Sequence, residues 1–199
     1  DALLERGVKK IYASSRVPKN LPSFGDPRIV PVELDIINPS DISKAVAMAQ
    51  DTQILINNAG LLSAGSLLDS PLENFRRDME VNYFGTIQMM KAFAPILKKN
   101  QGSRLINIVS IAKYVNFPFI AGYCASKSAL YSITQAARIE LSAHHIPVHA
   151  VNPGAIDTEM NKGSTMEMTA PSEVAQSILD HIEREVLDIV PDKIGMGFF

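Results

Sequence analysis

The sequence predicts an α/β fold: a doubly wound parallel sheet in three layers, α/β/α. Three observations carry this. Short apolar runs alternate with longer helical patterns along the 199 residues. The short runs are apolar throughout, as in strands buried on both faces, and not at every second residue. Each of five runs ends in polar or glycine-rich residues, at 14–16, 35, 57–60, 110 and 153–154. Ligands of open parallel sheets bind beyond the carboxyl ends of the strands, so these five segments line one crevice.

The elements follow in order. Ala2, Leu3 and Leu4 followed by Gly7 form the last turns of a helix with its C-terminal glycine. Strands are predicted at 8–14 and 28–34, separated by a Pro- and Asn-rich loop. Asn38 and Pro39 start a helix that runs to about Gln50. A strand at 53–56 leads into Asn57-Asn58-Ala59-Gly60. Ser70 and Glu73 have the spacing of a capping box, opening a helix over about 71–99 that carries Asn82 and Pro95. Then come a strand at 104–109, an Ala-rich helix at 123–143, a strand at 147–151, a Met-rich loop at 158–169, a helix at 171–185 and a last strand at 186–190. No repeat or linker interrupts the series, so residues 1–199 read as one domain.

Composition excludes several function classes. The formal net charge of −2 provides no basic field for nucleic acid or an anionic membrane. No apolar run approaches the ~20 residues of a membrane-spanning helix. Cys124 is the single cysteine and the four histidines lack ligand spacing, so no metal site and no internal disulfide are expected. A reducing, cytoplasmic compartment is the default.

Tyr123 and Lys127 stand one helical turn apart on one face. A nearby ammonium favours the phenolate, which would let the Tyr exchange protons nearer neutral pH. The same pair is also what an ordinary half-buried Tyr and solvated Lys look like. Ser110, at a strand end, can reach the same point and hydrogen-bond a substrate oxygen. Asn57-Asn58-Ala59-Gly60 is either a turn or a wall whose small residues admit a flat cofactor. Asp35 either closes a strand or accepts from an adenine amino group. Pro153-Gly154 is a turn, or, with Ile156 and Thr158, a backbone and hydroxyl set for a carboxamide. Asn82, mid-helix, is a surface residue or one kept for a polar contact. Arg16 follows the strand at 8–14, where dinucleotide folds choose between cofactors. An acidic residue there bonds a ribose 2′-hydroxyl and an Arg accommodates a 2′-phosphate, so NADP(H) is favoured over NAD(H).

Together these residues resemble the classical short-chain dehydrogenase/reductase family. The matches are N-N-A-G at 57–60, Asn82 within V-N-Y-F-G-T, Ser110, Y-C-A-S-K at 123–127 and N-P-G-A-I-D-T at 152–158. The resemblance implies a Rossmann-like NADP(H)-dependent oxidoreductase that interconverts a ketone or aldehyde with an alcohol. In it Tyr123 is the general acid/base and also touches the cofactor, and Lys127 lowers its pKa and bonds the nicotinamide ribose. Ser110 polarises the substrate oxygen, and Asn82 supports a water linking Lys127 to solvent. Asp35 and Ile36 contact adenine, while Asn57, Ala59 and Gly60 line the cofactor. Ile156 and Thr158 hold the nicotinamide amide. Tyr114, Phe117, Phe119, Met160, Met166 and Met168 flank the substrate, favouring a small to medium apolar molecule. A homodimer or homotetramer would form through the helices at 71–99 and 123–143.

The family pattern also has an opening strand and a Thr-Gly-x-x-x-Gly-x-Gly turn that cradles the pyrophosphate. Neither stands in the 199 residues, where residues 1–7 match only the end of the helix which that turn opens. In the strand order 3-2-1-4-5-6-7 this leaves an empty place between the strands at 8–14 and 53–56. On this expectation roughly 30 further residues stand upstream in the natural protein, and the 199 alone fold or bind cofactor poorly. Two other readings stay open: a non-catalytic dinucleotide-sensing or structural relative, and a truncated inactive chain.

Overall fold

The computed structural model describes residues 1–21, 25–163 and 165–198. Parts of the loops expected before Pro27 and at 158–169 lie outside these residues. Helix α1 (Ala2–Glu5) ends at Gly7, whose φ of 77° is the left-handed conformation that closes a helix. Strands β1 (Ile11–Ser15) and β2 (Ile29–Glu33) pair in parallel. Helix α2 (Pro39–Met48) begins as expected, with the Asn38 side chain accepting from the Ser40 amide. Strand β3 (Ile54–Asn57) follows.

The next helix is one body in three parts: α3 (Leu72–Met79), a π-helical stretch (Glu80–Gly85) and α4 (Thr86–Lys99). The Ser70/Glu73 capping box does not form. Pro71 holds the N-cap position, where its extended backbone presets the turn, and no side chain caps the helix. Pro95 sits inside α4 without ending it. Strand β4 (Arg104–Ile108), helix α5 (Ala121–Ser142), strand β5 (Val148–Val151), helix α6 (Pro171–Glu183), strand β6 (Asp188–Ile189) and helix α7 (Lys193–Met196) complete the chain.

The strands form two parallel sheets, β1-β2 and β3-β4-β5-β6. Among the described residues no strand joins β1 to β3, the place that the family's strand order leaves empty here. Both faces are covered in the larger sheet. Leu55, Leu105 and Val148 point to the side of α2 and α4, in one core with Val32, Leu34, Phe93 and Leu97. Ile106, Val151 and Ile189 point the other way, against Ile178 and Ile182 of α6. This explains strands that are apolar at successive positions: each neighbour buries on a different face. That second cover stops short of β3, where Ile54 and Ile56 stay 40% and 38% exposed. Helix α1 is fastened to α6 by Arg6, which pairs with Asp180 and Glu183.

Candidate active site

The carboxyl ends of the strands bring the expected residues into two adjoining groups. The first lines a cleft of about 370 Å³, between the end of β1 and the start of the π-helical stretch. Arg16, Asp35, Ile36, Ala59 and Gly60 all lie on it, joined by Ser14, Ser15, Leu61, Arg77, Glu80 and Val81. Arg77, Glu80 and Val81 gave no motif in the sequence; their helical spacing alone could have suggested a shared face. Asp35 also closes its own turn, accepting from the Ile37 amide at 3.1 Å. Asn57 does not face this cleft with a free amide. Its Nδ2 donates to Asn107 Oδ1 at 2.8 Å, and Asn107 donates on to Thr134. This bond ties β3 to β4, whose register places the two residues opposite each other.

The second group surrounds Tyr123. Ser110 stands two residues beyond β4, and its hydroxyl accepts from the Ala112 amide at 3.1 Å, fixing the side chain at the mouth of the site. A hydrogen bond with Ser110 draws the Tyr123 phenol downward, but burial dominates and the phenol is pushed up to about 12. Lys127 stands beside the Tyr123 ring. Its ammonium, 5.5 Å from the Tyr123 ring centre, donates to the Ile108 carbonyl at 2.9 Å. Burial holds Lys127 itself down, to about 8.

Asn82 sits in the π-helical stretch, a distortion that recurs at functional sites because it turns a side chain out of register. Both ends of its amide are engaged. Oδ1 accepts from the Leu61 amide at 2.7 Å, while Nδ2 donates to the Leu61 carbonyl at 2.7 Å and to Ser126 Oγ at 2.8 Å. Ser126 in turn donates to the Tyr123 carbonyl at 2.7 Å. Asn82 therefore positions the loop after Gly60 and the first turn of α5.

Gly60 meets both groups. A Cβ there would lie 3.3 Å from Asn82 Oδ1 and 3.7 Å from Lys127 Nζ, so the glycine keeps a flat floor between the cleft and Tyr123. Such a floor, open to a cleft carrying Arg16, fits the adenosine and nicotinamide ends of a phosphorylated dinucleotide.

Ile156 and Thr158 lie apart from the cleft, in the loop after β5, where Ile156 bridges Thr169 and its carbonyl accepts from Asn161. Gly154 has a role that the sequence did not show. Its amide donates to Asp192 Oδ1 at 2.9 Å, and a Cβ would lie 2.8 Å from the Gly195 amide nitrogen. The close approach of α7 demands this glycine.

Lys127 makes stability depend on pH. Its folded-state pKa lies below the ordinary 10.5, so between about 8 and 10.5 the unfolded chain binds the extra proton. Stability therefore rises with pH through that window, by about 1.4 kcal/mol per unit from this group. Wild type should gain on Lys127→Met between pH 8 and 10, measured by urea unfolding; parallel curves would contradict the depressed Lys127.

A family model described as short chain dehydrogenase matches residues 2–169. The human 17-beta-hydroxysteroid dehydrogenase type 2 is 36% identical over 169 residues, covering 80% of this chain and 42% of that protein. An uncharacterized oxidoreductase, YusZ, of Bacillus subtilis (strain 168) is 35% identical over 130 residues, 64% of this chain and 46% of the relative. The chain spans about half the length of the curated relatives it matches. Among solved structures, a short chain dehydrogenase from Burkholderia cenocepacia J2315, in complex with NADP, superposes with a TM-score of 0.94 at 41% identity. The match covers 99% of this chain and 83% of that one. With the fold, the Ser110–Tyr123–Lys127 cluster and 168 matched residues in agreement, the chain belongs to the short chain dehydrogenase family.

Proposed function

We propose that the protein is an NADP(H)-dependent oxidoreductase that interconverts a ketone or aldehyde and the matching alcohol. The observation that carries this is the convergence of Ser110, Tyr123 and Lys127 beside the Gly60 floor. The dinucleotide, when bound, would supply or accept the hydride. Ser110 holds the substrate oxygen by its hydroxyl. Tyr123 gives its phenolic proton to that oxygen in reduction and takes it back in oxidation. A phenol pushed up to about 12 keeps its proton at neutral pH, the form that serves as the proton donor in reduction. Lys127 and Asn82 hold the floor and the first turn of α5 in place. Arg16, Asp35 and Ile36 would take the adenosine end, Ala59 and Gly60 the middle, and Ile156 and Thr158 the carboxamide.

The substrate is a small to medium apolar molecule. Tyr114, Phe119, Met160 and Met166 present exposed apolar surface, and Phe117 stacks edge-on against Phe198 at 5.6 Å. Met and aromatic side chains make an adaptable wall. The steroid substrate in the human relative's name agrees with such a wall. A homodimer or homotetramer through the outer faces of α4 and α5 is supported by exposed Ile139 on α5 and by Phe84 beside α4.

Arg16 supplies the test of the cofactor. A guanidinium facing a 2′-phosphate makes a charge-assisted contact of about 1.5–3 kcal/mol. Arg16→Ala should weaken NADPH binding about 10- to 100-fold and NADH binding hardly at all, read by fluorescence titration. Equal losses for both, or no binding of either by wild type, would remove the NADP(H) reading.

A further inference from the structure

Close to Tyr123 lies a carboxyl group that the proton transfer leaves unused. Asp78 stands on α3, one turn before Asn82, and is fully buried. Its Oδ1 accepts from the Ser63 amide at 2.9 Å. Its Oδ2 is buried without a hydrogen-bond partner. That oxygen is aimed at the start of α5, where a Cβ on Gly122 would stand only 2.8 Å away. No side chain caps this helix end, and the next residue is Tyr123.

The loop 61–65 is gripped at three successive points. Asn82 holds Leu61, Asp78 holds Ser63, and the Gly65 amide donates to the Phe119 carbonyl at 2.7 Å. Phe119 itself carries a φ of 65°, a conformation a non-glycine residue holds only under constraint. The loop thus spans from the Gly60 floor to the entry of α5, and Asp78 is its middle fastening.

We propose that Asp78 is a positioning residue for this reaction: it anchors loop 61–65 at Ser63 and sets, across Gly122, the charge felt by the Tyr123 phenol. The proposal rests on the reading of Tyr123 as the acid/base. Several groups face Asp78. On its own helix is Arg77. From α5 comes Tyr123, on which the neighbouring Cys124 also acts, while the Lys127 ammonium one turn on is turned to the Ile108 carbonyl. Residues 61–65 bring no ionisable side chain. Burial pushes the Asp78 carboxyl upward, while Ser63 and then Arg77 draw it back. Once ionised, Asp78 opposes the phenolate, because two like charges in one dry site disfavour each other. With its proton on, it opposes nothing and still accepts from Ser63. The state of Asp78 therefore sets how readily Tyr123 parts with its proton.

The test reads Tyr123 directly and needs no turnover. The full chain is labelled with ¹³Cζ-tyrosine, and Tyr123→Phe identifies the resonance among Tyr12, Tyr83, Tyr114 and Tyr131. In Asp78→Asn, which keeps the acceptor for Ser63 and removes the charge, Tyr123 should titrate lower by about 0.5–1 pH unit. The four other tyrosines should stay in place. In wild type, the Tyr123 signal should also step as the Asp78 carboxyl loses its proton, a reading that requires no variant to fold. An unmoved Tyr123 titration in Asp78→Asn, or the absence of that step, overturns the proposal. Failure of the acid/base reading would show separately, as full turnover in Tyr123→Phe.

Discussion

Tyr123→Phe should lower kcat by about 10²–10⁴-fold, the span a positioned proton donor contributes. The change removes one oxygen and keeps the ring, so packing is retained. Ser110 loses its partner but keeps the Ala112 amide, which limits the cost in stability to about 1 kcal/mol. NADPH affinity should stay within about twofold, since the phenol contributes mainly when charge moves. A loss of binding in place of a loss of rate would instead make Tyr123 a cofactor contact. Wild-type pH dependence supports the same distinction. Burial raises the Tyr123 pKa, so the phenolate needed for alcohol oxidation grows as pH rises, and oxidation should quicken through the alkaline range. Reduction, which needs the phenol, should not.

Asn82→Ala should cost about 2–5 kcal/mol of stability and release the loop after Gly60. The variant leaves both the Leu61 amide and the Leu61 carbonyl without their partner. Each orphan in this part-buried loop costs up to about 1–3 kcal/mol. Ser126 loses a donor but keeps its own bond to the Tyr123 carbonyl, so α5 should remain helical. Chemical denaturation gives the stability loss, and amide exchange at Leu61 gives its place. A near-neutral change would mean that water replaces the amide, and that Asn82 matters for something other than fastening.

Much of this was legible in the sequence because it is local. Tyr123 and Lys127 share a helix face by spacing alone, Ser110 ends an apolar run, and Asn38-Pro39 starts α2 as such pairs do. The empty place between β1 and β3 followed from the strand order that the family resemblance implies. What escaped was set by residues far apart. Asn57 meets Asn107 only once β3 and β4 are in register. Gly154 is fixed by Asp192, which approaches with α7, a helix of four residues that gave no periodic signal. Lys127 turns to a carbonyl on β4, a choice its sequence neighbours do not reveal. The capping box failed for a local reason: Pro71 settled the turn before Ser70 could reach the helix. The π-helical stretch that turns Asn82 inward has no composition of its own.

The cleft has two banks, with Ser14, Ser15 and Arg16 on one and Ala59 and Gly60 on the other. They stand far apart in the chain and meet only in the folded state. A nucleotide that touches both therefore binds the folded chain and not the unfolded one. Its binding energy adds to the stability of the fold, by an amount that grows with the logarithm of its concentration.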